Sequence, residues 1–176
     1  MRITGGKYRS RVVKCPPGVI RPAMDRMRES MFSILGDLRD LSFLDLFSGS
    51  GVIGLEAASR GATDIQMVEL DRGKKKVIME NLSIAKENIK INFADAAIYL
   101  EQSNRDFDII HLDPPFPVED KLRFIELVEK HNVLKPQGTL MMHYPDSESY
   151  PEEIGKLRQY DLRKYGGSML VFYTRD

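Results

Sequence analysis

The chain has 176 residues, of which 42% are hydrophobic and 30% charged, and its formal net charge is zero. This size and apolar content are enough for one domain to bury a core without disulfides or metals, and the lone Cys15 excludes an internal disulfide. No apolar run approaches the roughly 20 residues of a membrane span, and no apolar block follows the first residues as in a signal peptide. We therefore expect a cytoplasmic protein with no membrane partner.

Charge is unevenly distributed along the chain. Residues 1–28 carry eight basic side chains against Asp25 alone, a net charge of +7, so the remaining residues sum to −7. A basic segment joined to a mildly acidic body is typical of a catalytic domain that is brought to a polyanion by one end. A solvated charged surface without a partner is the alternative.

Two elements are predicted before residue 40. Arg2–Val13, interrupted by Gly5-Gly6, predicts a small β-hairpin that ends at Pro16-Pro17-Gly18. Met24–Leu35 has apolar residues at helical spacing, and its methionine stripe indicates core packing rather than a cofactor site.

From residue 41 onward, short apolar runs alternate with helical patterns, as in a parallel sheet covered by helices. The predicted strands are Phe43–Phe47, Ile65–Glu69, Ile91–Phe93, Phe107–Leu112 and Thr139–Tyr144. The predicted helices are Ile53–Arg60, Gly73–Lys86, Ala96–Gln102, Lys121–Lys130 and Pro151–Leu157. A closing hairpin is predicted for Leu162–Tyr165 and Met169–Tyr173, joined by Gly166-Gly167. We expect an α/β domain, residues 41–176, with a mixed seven-stranded, doubly wound sheet ending in an antiparallel hairpin, preceded by a basic arm, residues 1–40.

A glycine-rich turn follows the first predicted strand. Gly49, Gly51 and Gly54 satisfy the pattern G-x-G-x-x-G, in which the missing Cβ atoms let the backbone approach a ligand closely. Glu69 and Asp71 follow at the end of the next strand, where a carboxylate can accept both ribose hydroxyls of an adenosine. The glycine pattern alone is a weak signal, and the acidic residues strengthen it.

Two cofactors share this arrangement: a nicotinamide dinucleotide and S-adenosylmethionine. Asp45, inside the strand, disfavours a pyrophosphate but suits a cationic sulfonium or amino group. The segment resembles motif I of class I methyltransferases, which implies their Rossmann-like fold. By the same resemblance Asp95 matches the position that holds the adenine amino group, although a helix cap is its alternative role. The implied ligands of S-adenosylmethionine are Asp45, Phe47, Gly49, Gly51, Glu69, Asp71 and Asp95.

Asp113-Pro114-Pro115-Phe116 follows the fourth predicted strand. Two successive prolines hold the backbone extended, and the segment resembles the [D/N]-P-P-[F/Y] motif of methyltransferases that act on adenine N6, cytosine N4, guanine N2 or glutamine N5. The Asp113 carboxylate and the Pro114 carbonyl would accept the two N–H bonds of such an amine and localise its lone pair, while Phe116 stacks on a flipped base. No metal is required. Three histidines lack ligand spacing and are expected to be structural: His111, His131 and His143.

Most of the sequence resembles one family, the RsmD-type ribosomal RNA guanine-N2 methyltransferases. The matching segments are Arg2–Arg11, Arg21–Glu29, Leu44–Gly51 with Gly54–Ala57, Glu69–Arg72 and Asp113–Phe116. The first two discriminate this family from other amino methyltransferases. Ala23-Met24 departs from it, because the family usually has threonine there. The resemblance implies methyl transfer to guanine N2 of 16S rRNA, with the bacterial small subunit or an assembly intermediate as substrate.

The charge distribution agrees with an RNA substrate, because a basic arm can bind phosphates while the pocket holds one base. The predicted RNA ligands are Arg2, Lys7, Arg9, Arg11, Arg21, Arg26 and Arg28. Three alternatives stay open: a DNA adenine-N6 enzyme, a protein glutamine-N5 enzyme, and a nonenzymatic RNA-binding module that keeps the fold.

Overall fold

A computed structural model describes residues 1–17 and 23–176 of the chain. In this part of the chain one mixed sheet has eight strands in the order β3-β2-β1-β4-β5-β8-β7-β6. The strands are β1 Ser42–Leu46, β2 Asp64–Glu69, β3 Ile89–Phe93, β4 Phe107–Leu112, β5 Leu134–Pro145, β6 Glu153–Ile154, β7 Leu157–Tyr165 and β8 Ser168–Arg175. The helices are α1 Ala23–Leu35, α2 Val52–Ser59, α3 Lys75–Leu82, α4 Ala96–Gln102 and α5 Leu122–Lys130, with a 3₁₀ turn at Arg72–Lys74.

The sheet is parallel from β3 to β5 and antiparallel beyond β5. Every residue of β1 is buried, because helices cover both faces of the sheet at its centre. Phe43 packs with α1 and α2, whereas Leu44 and Leu46 pack with α4 and α5. The chain reverses its direction of winding between β1 and β4, and ligands bind beyond the carboxyl ends of strands at such a switch point.

The carboxyl-terminal third differs from the sequence prediction. The helix predicted for Pro151–Leu157 is wrong: this segment holds strand β6 and the start of β7, so the sheet has eight strands rather than seven. Gly155 adopts a φ of 56°, a left-handed conformation that turns the chain between the two strands. Buried Leu157 then belongs to a sheet face rather than to a helix stripe. The hairpin of β7 and β8 is present, with longer strands than predicted.

The predicted amino-terminal hairpin is a compact loop whose two ends pair antiparallel: Arg2 and Val12 form a bridge, and the Ile3 amide donates to the Arg11 carbonyl over 3.0 Å. The middle of the loop docks on α2, where the Lys7 amide donates to the Ser59 carbonyl over 2.9 Å. Gly6 has a φ of 74°, and a side chain there would collide with the Ser59 backbone. Buried Ile3 packs in the same cluster as α1 and α2. The domain boundary at residue 40 stays a prediction, and Gly18, at the predicted end of the hairpin, lies outside the described residues.

A buried ion-pair network fastens this loop to the body. Glu56 of α2 accepts from Arg28 Nε over 2.9 Å and from the Thr4 amide over 2.7 Å, and it also pairs with Arg60. Arg28 Nη2 donates to the Arg2 carbonyl over 2.7 Å. Arg28 is 1% exposed, so its charge is neutralised inside the protein. In the described part of the chain, no helix is long and apolar enough to cross a membrane.

Candidate active site

The glycine-rich turn between β1 and α2 is built from left-handed backbone conformations. Phe47, Gly49 and Gly51 have φ angles of 66°, 57° and 84°. A non-glycine residue in this region is strained, and Phe47 is held there by an edge-to-face contact with Phe124, with ring centroids 4.9 Å apart. Gly51 caps the start of α2. The turn therefore presents its backbone at the carboxyl end of β1.

Glu69 connects this turn to the end of β2. It is buried, and its Oε2 accepts from the Gly49 amide over 2.7 Å. Its Oε1 accepts from the Asp71 amide over 2.9 Å and pairs with Lys74 over 3.4 Å. Asp71 is exposed and caps the 3₁₀ turn by accepting from the Gly73 amide over 2.8 Å. The two carboxylates lie next to each other, one buried in the turn and one at its rim.

A cavity of about 700 Å³ joins these elements. Eight of the predicted site residues line it: Phe47, Gly49, Glu69, Asp71, Asp95, Asp113, Pro114 and Phe116. Asp95 also caps α4, accepting from the Ile98 amide over 3.1 Å, which is the alternative role considered from the sequence. Leu70, Lys74 and Arg123 line the cavity as well, although the sequence did not single them out. The structure thus brings the glycine turn, the acidic strand ends and the Asp-Pro-Pro-Phe segment together.

Asp113 is held by a histidine of the neighbouring strand. His143 Nδ1 lies 2.9 Å from Asp113 Oδ1, and its buried ring lies 5.2 Å from the Phe116 ring, measured between centroids. One residue therefore contacts both side chains of the predicted catalytic segment. His143 follows Met142, which is the register partner of Leu112, so the parallel pairing of β4 and β5 brings it beside Asp113.

Asp45 is buried beneath the turn and pairs with a second histidine. Asp45 and His111 are register partners on β1 and β4, and His111 Nδ1 lies 2.8 Å from Asp45 Oδ1. Burial raises the pKa of the Asp45 carboxyl above its usual value, against the hydrogen bond from His111. Burial disfavours the His111 imidazolium, but the hydrogen bond and charge of Asp45, with the charge of Asp113, outweigh it and raise the pKa of His111.

A smaller cavity of about 310 Å³ lies on the α1 side of the turn. His111 lines it together with Ser50 and Asp113. Asp45 lines neither cavity, so the predicted direct contact between its carboxylate and a cofactor is not what this geometry offers. Two of the three histidines expected to be structural therefore belong to the site; His131 caps the end of α5.

The loop after Pro115 is fixed by a fully buried lysine. Lys121 Nζ donates to the carbonyls of Phe116 and Val118, over 2.8 and 2.5 Å, and pairs with Glu148 over 2.8 Å. Hydrogen bonds from Lys121 and Tyr150 outweigh burial and hold the pKa of Glu148 below its usual value. The position of the Phe116 backbone thus depends on Lys121, which no motif in the sequence marks as a site residue.

The predicted RNA ligands differ in exposure. Arg2, Lys7, Arg9, Arg11 and Arg26 are exposed. Arg2 donates to the Ser10 carbonyl over 2.9 Å, and Lys7 pairs with Glu87. Arg21 lies outside the described residues. Arg28 is buried, and its Nε and Nη2 donate to Glu56, Asp25 and the Arg2 carbonyl, so its assignment as an RNA ligand is corrected to a structural one.

The fold and the site together define a class I methyltransferase. Residues 1–174 match the family model described as Conserved hypothetical protein 95. The chain is 38% identical over 144 residues to Ribosomal RNA small subunit methyltransferase D of Escherichia coli K12, covering 80% of this chain and 69% of that protein. The protein of the same name from Haemophilus influenzae is 31% identical over 147 residues, with 80% and 76% covered. Among solved structures, Escherichia coli yhhF superposes with a TM-score of 0.90 at 29% identity, covering 100% of this chain and 98% of that chain. The chain belongs to this family, the RsmD-type methyltransferases.

Proposed function

We propose that this protein transfers a methyl group from S-adenosylmethionine to the exocyclic N2 of a guanine in 16S rRNA, acting in the cytoplasm on the small subunit or on an assembly intermediate. The observation that carries the proposal is the 700 Å³ cavity, in which the glycine turn and its carboxylates face Asp113, Pro114 and Phe116. The names of the relatives in Escherichia coli and Haemophilus influenzae support ribosomal RNA as the substrate class.

The chemistry of the cavity suits S-adenosylmethionine. Asp71, Glu69 and Asp95 line the cavity, which supports our proposal that the first two accept from ribose hydroxyls and Asp95 from the adenine amino group. A Cβ on Gly49 would meet no atom within 4 Å, which is consistent with a backbone that faces a ligand. Acidic groups around the cavity favour a cationic ligand over a pyrophosphate. When bound, S-adenosylmethionine supplies a methyl group on a positively charged sulfur.

The segment after β4 suits a planar amine. The lone pair of guanine N2 is delocalised into the ring, so the amine is a poor nucleophile until its two N–H bonds are directed to acceptors. The Asp113 carboxylate, oriented by His143, and the Pro114 carbonyl are those acceptors. Phe116 provides a stacking surface, which is worth on the order of 1–3 kcal/mol for an unstacked base. Alignment of the reacting groups supplies much of the remaining acceleration.

Incubation of the purified protein with labelled S-adenosylmethionine and unmodified small-subunit RNA tests the proposal. We expect label in the RNA and N2-methylguanosine on mass analysis of its nucleosides, more with assembled or partly assembled subunits than with naked RNA. Label in adenine of DNA, or in a glutamine of a protein, would replace the proposed substrate with one of the alternatives. Binding of RNA without methyl transfer to RNA, DNA or protein would favour the nonenzymatic RNA-binding module.

A further inference from the structure

The Asp45–His111 pair has two buried polar atoms that the protein leaves without hydrogen-bond partners. Among the described residues, Asp45 Oδ2 and His111 Nε2 are the buried side-chain atoms of this kind. Both residues are at most 2% exposed, so bulk water does not replace the missing partners. Leaving such a group unsatisfied costs on the order of a lost hydrogen bond. A ligand that supplies the partner would recover this cost.

The geometry indicates which residue of the pair lies beside a cavity. His111 lines the 310 Å³ cavity, and Asp45 does not. In the neutral ring with its proton on Nδ1, Nδ1 donates to Asp45 Oδ1 and Nε2 is left as an acceptor on the other side of the ring. Through its hydrogen bond to His111, the negative charge of Asp45 affects the 310 Å³ cavity, which the Asp45 side chain itself does not line.

The cavity of His111 is the continuation of the large one. Both are lined by Phe47, Gly49, Lys74 and Asp113, so a single ligand can extend across the glycine turn from one to the other. The acidic ribose and adenine sites lie in the large cavity. The part of the cofactor that reaches the small one is therefore the opposite end, the amino-acid tail.

We propose that His111 Nε2 accepts a hydrogen bond from the α-ammonium group of the cofactor's methionine tail, with Asp45 as the residue that fixes the tautomer of His111. The inference rests on the proposed use of S-adenosylmethionine. The ammonium also favours the neutral, accepting form of His111, because a neighbouring cation opposes protonation of the ring. Asp113, which faces His111 from the end of β4, adds negative charge on the same side.

Calorimetric binding of four adenosine compounds tests this assignment without reference to activity. They are S-adenosylhomocysteine, its decarboxylated form, its deaminated form, and 5′-deoxy-5′-methylthioadenosine, which has no amino-acid tail. His111→Leu removes the acceptor, and His111→Gln keeps both a donor toward Asp45 and an acceptor toward the cavity. His131→Leu, the same change at the end of α5, is the matched control. Asp45→Asn combined with His111→Leu avoids a buried unpaired carboxylate if the single variant does not fold.

We expect His111→Leu to weaken S-adenosylhomocysteine and its decarboxylated form by about tenfold to a hundredfold, the effect of losing a hydrogen bond to a charged group. The tailless and deaminated compounds should change by less than about twofold, and Gln should restore part of the loss. An equal loss of affinity for the tailless compound would mean that His111 is only structural. A loss of affinity confined to the compounds that keep the tail carboxylate would mean that His111 Nε2 donates to that carboxylate instead of accepting from the ammonium. Unchanged binding throughout would also overturn the proposal. A parent protein that binds none of the four would instead refute the cofactor itself.

Discussion

At the scale of single residues, Asp113 can serve the reaction in two ways. A general base must take the proton that the amine loses, whereas a hydrogen-bond acceptor only needs an oxygen at the right place. In the structure His143 holds one oxygen of Asp113 and packs beside Phe116. This arrangement fixes the direction of the carboxylate, which is what an acceptor needs most.

Asparagine at position 113 separates the two roles. We expect Asp113→Asn to retain measurable turnover because its carbonyl oxygen replaces the accepting oxygen, and Asp113→Ala to lose about 2–4 kcal/mol of transition-state stabilisation. Single-turnover rates at saturating cofactor are the measurement. Calorimetry with S-adenosylhomocysteine checks that both variants keep the cofactor site. If both variants are equally inactive with that site intact, Asp113 is a base.

The sequence identified the residues of the site that lie in short motifs. Gly49, Glu69 and Asp113 were found because local spacing around strand ends determines where they lie. His111 and His143 were not found, because each joins the site through a partner that is distant in sequence. His111 pairs with Asp45, 66 positions away, and His143 pairs with Asp113, 30 positions away. His111 did carry a signal, since it lies two residues before Asp113 on the same face of a strand.

At the scale of elements, Lys121 determines the path of the loop that carries Phe116. An ammonium group with no exposed surface must have its donors satisfied, and here two carbonyls of the loop and Glu148 do so. The Glu148 carboxylate comes from the segment after β5, so the ion pair with Lys121 ties the Phe116 loop to that segment. The lysine is thereby a positioning residue for the stacking surface.

Lys121→Met should keep the aliphatic packing of the side chain and release the loop. We expect the free energy of unfolding to fall by about 1–3 kcal/mol, since buried acceptors lose their donor. The single-turnover rate should fall while affinity for S-adenosylhomocysteine is retained. Lys130→Met, on an exposed lysine at the end of α5, the helix that Lys121 precedes, is the control. Equal thermal stability and equal single-turnover rates in the two variants would mean that Lys121 does not position the Phe116 loop.

Element prediction succeeded where periodicity and burial agree. Phe107–Leu112 is a strand with the predicted bounds, because a continuous apolar run suits a strand covered on both faces. The helix prediction for Pro151–Leu157 is wrong because Gly155, in a left-handed conformation, turns the chain between β6 and β7. The two ends of the amino-terminal loop pair antiparallel, as predicted. Its docking on the Ser59 region of α2 was not predicted, because no local pattern in the first residues reveals it.

At the scale of the whole molecule, the basic segment has two parts with different tasks. Arg28 belongs to the buried ion-pair network with Glu56, and this network holds the amino-terminal loop against α2. Breaking a buried pair of this kind typically costs about 3–5 kcal/mol. The exposed residues Arg9, Arg11 and Arg26 remain available to a polyanion. Because the loop packs on the core rather than extending from it, these charges keep a fixed position relative to the cavity.

The salt dependence of RNA binding tests that surface. Replacing Arg9, Arg11 and Arg26 with alanine should lower the steepness of log affinity against log salt by about two, at roughly 0.7 per phosphate contact with single-stranded RNA. A triple alanine variant at Arg158, Arg163 and Lys164, which are exposed on β7, removes the same charge elsewhere. It should leave the slope near that of the parent. Both variants should bind S-adenosylhomocysteine as the parent does, because none of these side chains lines either cavity. Equal slopes in all three proteins would mean that the RNA is bound by a different face, with Arg123 and Lys74 at the mouth of the large cavity as the next residues to change.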